Sequence, residues 1–270
     1  MLADINGETL EELRYRHPAP PDDLRDVHVE PNVQTGPFTV SAEELQKAIK
    51  SFHASSAGGF DGLRPRHLKD MLSLDNPTDL QSSLLRFCER VINGKLPDFI
   101  LEYFYGASLT AFRKKSGGLR PIACGLTLRR LASKILVQRE KNLLATTFLP
   151  NQLGCGVHRG GEAAVHAVRT YLENSSPSEV KVMVKLDYKN AFNTVRRDWL
   201  LERVAQHAPS LLPMSFQAYG SESLLLGDGF ELKSQTGVQQ GDPCGPALFC
   251  LAIKDLTDHL SENRTVALGT

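Results

Sequence analysis

The chain has 270 residues, of which 41% are hydrophobic, and this size and composition are typical of one or two globular domains with a substantial core. Its 31 basic residues balance its 31 acidic residues, so the overall charge does not indicate a polyanion-binding protein. The sequence has no apolar run long enough to span a bilayer, no targeting peptide and no cysteine spacing of a zinc site. We therefore expect no membrane partner and an intracellular location, in the cytoplasm or the nucleus.

The first third of the chain predicts an irregular arm followed by helices. Residues 1–40 are rich in proline and aspartate, which predicts a loop or an extended arm. Ser41 then begins a helix with a capping box, because Glu44 follows three residues later. Apolar periodicity predicts further helices at residues 65–72, 78–93 and 127–144.

A basic region occupies the middle of the chain. Between residues 103 and 161 Glu140 is the only acid, among Arg113, Lys114, Lys115, Arg120, Arg129, Arg130, Lys134, Arg139, Lys141 and Arg159. Such a region is typical of a surface that contacts a nucleic-acid backbone or a triphosphate. The alternative is an ordinary solvated face.

Two hairpins and three more helices are predicted by the remaining pattern. In each hairpin, turn residues separate two apolar runs. The first hairpin pairs residues 106–115 with residues 119–123, and the second pairs residues 222–226 with residues 230–234. The helices are expected at residues 162–172, 196–206 and 246–260, with a linker at residues 174–178.

The most informative stretch begins at residue 180. Residues 180–186 alternate between apolar and polar side chains, which is the period of a strand with one buried face. Asp187 follows at the end of this strand, and residues 188–194 predict a tight connection. A carboxylate in this position suits a metal-binding acid under a substrate pocket. A helix-capping aspartate at a strand–helix junction is the equal alternative.

Four stretches, in the same order along the chain, resemble the motifs of reverse transcriptases. Leu-Asp-Tyr-Lys-Asn-Ala-Phe at residues 186–192 resembles motif A, and Gln-Gln-Gly-Asp-Pro-Cys-Gly-Pro at residues 239–246 resembles motif B. Gly-Leu-Arg-Pro-Ile-Ala-Cys-Gly at residues 118–125 is similar to the fingers motif, and Gly-Phe-Asp-Gly-Leu-Arg-Pro at residues 59–65 to the segment before it. The nearest resemblance is to enzymes of retrotransposons without long terminal repeats, and it covers residues 41–260.

The resemblance implies an α+β fold with the fingers and an incomplete palm of a right-hand polymerase, rich in helices and with small antiparallel sheets. It divides the chain into an N-terminal loop or arm (1–40), a fingers-like region (41–179) and a partial palm with motifs A and B (180–270). The palm sheet would contain the strand at residues 180–186 and the hairpin at residues 222–234.

The resemblance also implies a catalytic metal site. Asp187 would bind two Mg²⁺ or Mn²⁺ ions, with the backbone carbonyl of Tyr188 as a further ligand. Phe192 would lie under the sugar of the incoming nucleotide and exclude a 2′ hydroxyl, although an ordinary core phenylalanine is the alternative.

Further residues would hold the nucleotide. Arg120 would grip the triphosphate, because its guanidinium forms two parallel hydrogen bonds to phosphate oxygens. Lys114, rather than Lys115, would supply a second cation, with a charge at the hairpin edge as the equal alternative. Gln240 and Gly241 would pack against the nucleotide and the template base.

The second acid pair of the family is missing from this sequence. Asp22-Asp23 is its only Asp-Asp, in the N-terminal arm, and Asp255 and Asp258 predict a solvated helix face. Asp242 is expected to be structural, at the start of a helix.

We therefore expect a reverse transcriptase fragment that is inactive as this chain and binds metal only if its site is completed. Its full-length parent would perform template-directed nucleotidyl transfer with an RNA or DNA template–primer and dNTP. The alternative is a catalytically dead remnant that only binds nucleic acid through basic fingers.

Overall fold

The computed structural model describes residues 2–24, 36–73, 78–115, 117–174 and 183–262. Within these ranges the chain is α+β, as predicted. The helices are α1 (Gly7–Arg16), α2 (Ala42–Lys50), α3 (Pro65–Leu72), α4 (Thr78–Ile92), α5 (Asp98–Phe104), α6 (Thr127–Arg139), α7 (Lys141–Phe148), α8 (Gly160–Glu173), α9 (Ala191–Thr194), α10 (Arg197–His207), α11 (Leu212–Tyr219), α12 (Gly245–Ala252) and α13 (Lys254–Glu262). The strands are β1 (Ala107–Arg113), β2 (Leu119–Gly125), β3 (Ser223–Gly227) and β4 (Phe230–Ser234).

The two predicted hairpins are present, but they combine into one mixed sheet with the order β2-β1-β3-β4. Strands β1 and β2 pair antiparallel, as do β3 and β4. A short parallel pairing between β1 and β3 joins the hairpins, with Ala107 opposite Leu225 and Ser108 opposite Leu226. The prediction of separate small antiparallel sheets is therefore wrong. Turn chemistry specifies each hairpin locally, whereas the parallel contact joins segments that are distant in sequence.

The prediction of a strand at residues 180–186 is wrong for residues 183–186, which are the part that the structure describes. Residues 183–188 have no regular structure, and Met183, Val184 and Leu186 are 69%, 72% and 62% exposed. Residues 180–182 lie outside the described part of the chain. The same holds for most of the linker expected at residues 174–178 and for the expected boundary between the fingers-like region and the partial palm, at residues 179 and 180. Alternation specifies one face of a strand, but a strand also needs a backbone partner, and none of β1–β4 pairs with this segment.

The N-terminal arm is only partly irregular, because α1 lies within it. The side chain of Asn6 caps α1 by accepting a hydrogen bond from the backbone N–H of Thr9 at 2.9 Å. Only Thr9 and Leu13 of this helix are buried, so its apolar periodicity is too weak to predict it. The loop predicted over all of residues 1–40 is therefore wrong for Gly7–Arg16.

The capping box of α2 is confirmed by reciprocal hydrogen bonds between Ser41 and Glu44. Other boundaries differ from the prediction. The long helix expected at residues 127–144 is divided at Glu140 into α6 and α7, and the one expected at 246–260 is divided at Ile253 into α12 and α13. Helices α5 and α11 were not predicted from the sequence.

Two apolar clusters stabilise this part of the chain. The larger one is helical and contains most of the inward side chains of α2, α4, α6, α10 and α12. The smaller one lies between α1 and the sheet, and it includes Leu13, Leu109, Leu119 and Leu225. No helix in the described ranges is both long and apolar enough to cross a membrane.

Candidate functional site

A buried ion pair fixes the loop that precedes α12. Arg129 of α6 donates to the Asp242 carboxylate at 2.8 Å, and the Tyr219 hydroxyl donates to the same oxygen at 2.7 Å. Arg129 also donates to the Gln239 side chain and to the carbonyl of Tyr105, both at 2.6 Å. The network therefore joins α6, α11 and the end of α5 to the loop of residues 239–242.

The protonation states of this network follow from its burial. Burial alone would raise the pKa of Asp242, but the adjacent Arg129 and the Tyr219 hydroxyl hold the pKa of that carboxyl below its usual value. Burial also raises the pKa of Tyr219 well above its usual value, so its hydroxyl stays a hydrogen-bond donor. Asp242 is therefore ionised and fully engaged, which supports its structural interpretation.

A second buried arginine holds the approach to the same loop. Arg197, at the start of α10, donates to the carbonyls of Gly237 and Ser234 at 3.0 Å each and to the Ser234 hydroxyl at 2.8 Å. Burial lowers the pKa of Arg197 to about 10, and its guanidinium donates to carbonyl and hydroxyl oxygens. Its role is to fix the chain between β4 and residue 239.

Two glycines allow the backbones around this loop to approach closely. A Cβ at Gly241 would lie 2.0 Å from the carbonyl oxygen of Ala123, so the loop contacts β2 directly. Gly237 has a φ of +65°, and a Cβ there would lie 2.2 Å from the carbonyl oxygen of Phe192. Backbone hydrogen bonds support this second contact, from Val238 to Phe192 at 2.7 Å and from Gly237 to Val195 at 2.8 Å. The two sequence regions that resemble motifs A and B are thus joined.

These elements surround a cleft with about 270 Å³ of empty space, counted with its open mouth. Three stretches that are far apart in sequence contribute to its walls. They are the end of the motif A region, the motif B region and strand β2, which contains the segment similar to the fingers motif. The lining residues are Pro121, Ala123, Asn193, Leu225, Ser234, Thr236, Val238, Gln239, Gln240 and, from the N-terminal segment, His17.

The predicted site residues are distributed unevenly around this cleft. Gln240 lines it, and Gly241 lies beside it against β2. Phe192 is half-buried and stacks on Phe249 with ring centroids 4.8 Å apart. That contact belongs to the helical core, so the alternative interpretation of Phe192 as a packing residue gains direct support.

The cationic pair predicted for the triphosphate lies on the hairpin of β1 and β2. Arg120 is exposed on β2 opposite Phe112, and Lys114 is exposed just after β1. Their positions as triphosphate ligands stay predictions.

Asp187 and Tyr188 are exposed in the irregular segment before α9. The two acids that could complete a metal site are engaged elsewhere, since Asp255 pairs with Arg203 and Asp258 pairs with Lys254, each at 2.6 Å. Within the described ranges no three His, Cys, Asp or Glu side chains are grouped to hold a metal ion. Asp187 alone does not fit a two-metal site, because each Mg²⁺ needs several oxygen ligands.

The basic region between residues 103 and 161 is more neutral in three dimensions than in sequence. Arg129 pairs with Asp242, and Arg139 pairs with Glu44, so acids from other segments compensate both cations. Sequence reasoning missed these pairs, and it also missed His17, Asn193, Thr236 and Gln239 at the cleft. The one available signal was the position of Arg129, which shares a helix face with Ala132, Ser133 and Leu136.

Comparisons with known proteins show which family the sequence matches. Residues 112–268 match the family described as "Reverse transcriptase (RNA-dependent DNA polymerase)", which is more than half of the chain. The chain is also similar to the "Retrotransposable element SLACS 132 kDa protein" of Trypanosoma brucei gambiense, with 29% identity over 234 residues. This alignment covers 82% of the chain and 18% of that relative, so the chain spans less than a fifth of the relative's length.

Replacing Asp242 with asparagine would leave the Arg129 charge buried and uncompensated. We expect the free energy of unfolding to fall by roughly 3–5 kcal/mol, measured by urea denaturation near pH 7. The pKa of Asp242 is lower in the folded protein, so its contribution is present above the unfolded value and is lost as the pH falls through the folded value. The control is Asp255→Asn, which removes a partly exposed pair and should cost about 1 kcal/mol or less. Equal losses in both variants would contradict the central role of the buried pair.

Replacing Gly241 with alanine would place a methyl group against the carbonyl of Ala123. We expect a lower melting temperature and separation of the loop from β2, detected as faster amide hydrogen exchange in β2. Gly161→Ala is the matched control, because Gly161 lies in α8 with no atom within 4 Å of an added Cβ. Alanine there should stabilise the helix by about 0.5–1 kcal/mol. A Gly241→Ala protein that melts like the control would show that the close contact is not required.

Proposed function

The chain belongs to the reverse transcriptase family, of the type found in retrotransposons without long terminal repeats, and from that premise we propose that it supplies the nucleotide-positioning part of a template-directed polymerase. The full-length parent would perform RNA-directed DNA synthesis on a template–primer. The observation that carries this proposal is the convergence of β2, the end of the motif A region and the motif B loop on one cleft. Those three stretches hold Arg120, Phe192, Gln240 and Gly241, to which the family resemblance gives nucleotide-binding roles.

The proposed roles use the residues around that cleft. Gln240 and Gly241 would contact the base and sugar, and Arg120 with Lys114 would bind the triphosphate from the hairpin of β1 and β2. Phe192 would limit the space beside the 2′ position while it packs on Phe249. Such groups act by positioning the reactants, which accounts for a large part of catalysis in phosphoryl transfer.

The division into regions is part of the same proposal. Residues 41–179 would form the fingers and residues 180–270 a partial palm. The shared sheet of β1–β4 requires one modification of this picture, because the fingers hairpin and the β3–β4 hairpin form a continuous surface. The two regions would therefore not move as independent sheets.

We propose that this chain alone does not extend a primer, since Asp187 lacks a second acidic ligand pair. The test is extension of oligo(dT) on poly(rA) with Mg²⁺ or Mn²⁺, compared between this chain and an Asp187→Ala variant. We expect no product from either protein when both are folded. Extension by the unchanged chain that disappears in the variant would show that another acid completes the site.

A second candidate function is nucleic-acid binding without catalysis, and one cluster of cations favours it. The ammonium of Lys134 donates to the Ser51 hydroxyl at 3.1 Å, and that of Lys69 donates to the Phe52 carbonyl at 2.8 Å. Arg130 and Lys134 lie over the Phe52 ring, 5.7 and 4.7 Å from its centroid. Within the described residues none of these three cations pairs with a carboxylate.

The charges in this cluster repel one another. Burial and the nearby Arg130 and Lys69 lower the pKa of Lys134, so an anion that enters the cluster would relieve the repulsion. A phosphate of a nucleic-acid backbone has the required charge and hydrogen-bond acceptors. The cluster therefore supports a phosphate contact on the face formed by α3, α6 and the end of α2.

The salt dependence of RNA binding tests this contact. We expect the double variant Lys69→Ala with Lys134→Ala to bind a single-stranded RNA with a shallower slope of log K against log salt. The slope should fall by about 1–1.5, because each lost phosphate contact contributes about 0.7. The control is Lys233→Ala with Lys254→Ala, because both of those lysines pair with acids, Glu222 and Asp258. The same slope in the two double variants would exclude the cluster as a phosphate contact.

A further inference from the structure

The segment of residues 15–24, called the strap below, crosses from α1 over the residues that follow Asp187. The Asn190 side chain donates to the carbonyl of Arg16 at 2.9 Å. The ammonium of Lys189 lies 3.3 Å from the Tyr15 hydroxyl and 5.1 Å from the centre of its ring. The strap is therefore attached to the turn between Asp187 and α9.

The strap has two further attachments. The Thr236 hydroxyl, just before the motif B loop, lies 3.2 Å from the carbonyl of Pro18 and 2.8 Å from that of Asn193, and its one proton is shared between these two acceptors. Farther along, the guanidinium of Arg196 contacts both carboxylate oxygens of Asp23 at 2.9 and 3.0 Å and its carbonyl at 3.0 Å. These contacts hold the strap at three separate points.

Between these points His17 lines the cleft together with Asn193, Thr236 and Gln240. A hydrogen bond joins its Nδ1 to the carbonyl of Leu13 at 2.9 Å, and burial lowers its pKa, so the neutral ring lies against the cleft wall. The space of about 270 Å³ includes the open mouth of the cleft, so the enclosed part is smaller still and lies well below the ~300–1,000 Å³ of ordinary ligand pockets. A nucleoside triphosphate with a paired template base does not fit in this enclosed space, to whose wall the strap contributes His17.

We propose that the strap is an autoinhibitory contact, which covers the nucleotide cleft and must move before nucleotide and template–primer enter. The proposal uses the assignment of this cleft to a nucleotide from the preceding subsection. The strap competes with the ligand, so the apparent dissociation constant equals the intrinsic one divided by the fraction of molecules in which the strap is open.

The anchors of the strap are suited to reversible opening. The Asp23 side chain is 76% exposed, so its ion pair with Arg196 contributes little to stability. Arg196 keeps a second partner, Asp198, at 2.7 Å when Asp23 is released. In contrast, Leu13 of α1 is fully buried, and Glu12 accepts from the backbone of Leu119 at 3.0 Å, so α1 as far as Leu13 stays on the sheet, whereas its last residues and His17 open with the strap.

The first test measures opening without any nucleotide. A thiol reporter is introduced by Asn193→Cys, since Asn193 is buried in the cleft wall, and its alkylation by a maleimide is followed by mass spectrometry at that position. We expect Asp23→Ala in this background to increase the alkylation rate by up to about fivefold, the largest effect expected for one exposed ion pair. The control is Asp228→Ala, which removes an exposed acid from the turn between β3 and β4. An identical rate in the two variants would overturn the proposal.

The second test measures ligand binding in chains without the reporter. Fluorescence anisotropy with a labelled poly(rA)–oligo(dT) duplex and dTTP should give a lower dissociation constant for Asp23→Ala than for Asp228→Ala, by the same factor as the alkylation rates. Equal or weaker binding would mean that the strap is a wall of the site, and the proposed competition would be wrong.

The two tests separate this inference from the proposed function. Faster alkylation together with no binding by any variant would confirm that the strap covers the cleft and contradict the assignment of the cleft to a nucleotide. Unchanged alkylation with normal duplex binding would contradict the strap and leave the proposed function intact.

Discussion

The ion pair between Arg129 and Asp242 is the constraint on which the candidate site depends. Both side chains are buried, and each has further hydrogen bonds that make the cost of desolvation tolerable. Arg129 lies in the first turn of α6, which packs against α2 and α4, so the loop before α12 takes its position from the helical core. A buried pair of this kind selects one arrangement, because every alternative leaves a charge without a partner.

The motif B loop and the segment around Asp187 therefore differ in how firmly the fold holds them. The motif B loop is held by Arg129, by Arg197 and by the contact of Gly241 with β2, so it is organised before any ligand arrives. The segment around Asp187 is exposed and pairs with none of β1–β4. Regular structure begins only at α9, whose N-cap is Asn190. The residues proposed to contact a nucleotide, Gln240 and Gly241, are therefore held in place by the fold, whereas metal binding at Asp187 would need further ligands.

The sequence predicted what depends on local pattern. The capping box at Ser41, the helix boundaries of α3 and α10 and both hairpins follow from residue type and short-range spacing. It could not predict the parallel pairing of β1 with β3, the burial of Arg129 or the position of His17 in the cleft, because each depends on a contact between distant segments. Alternation at residues 183–186 failed for a related reason, since it specifies a face and not a partner strand.

Charge shows the same dependence on tertiary contacts. The scarcity of acids between residues 103 and 161 suggests a continuous basic surface. In the fold, however, Arg139 pairs with Glu44 and Arg129 pairs with Asp242, and both of these acids lie on other segments. Lys69, Arg130 and Lys134 gather around Phe52 with hydroxyl and carbonyl oxygens as partners, and their mutual repulsion is not relieved by any acid of the described residues. A surface that contacts phosphate is thus better identified by which cations lack a carboxylate in the fold than by the number of cations in the sequence.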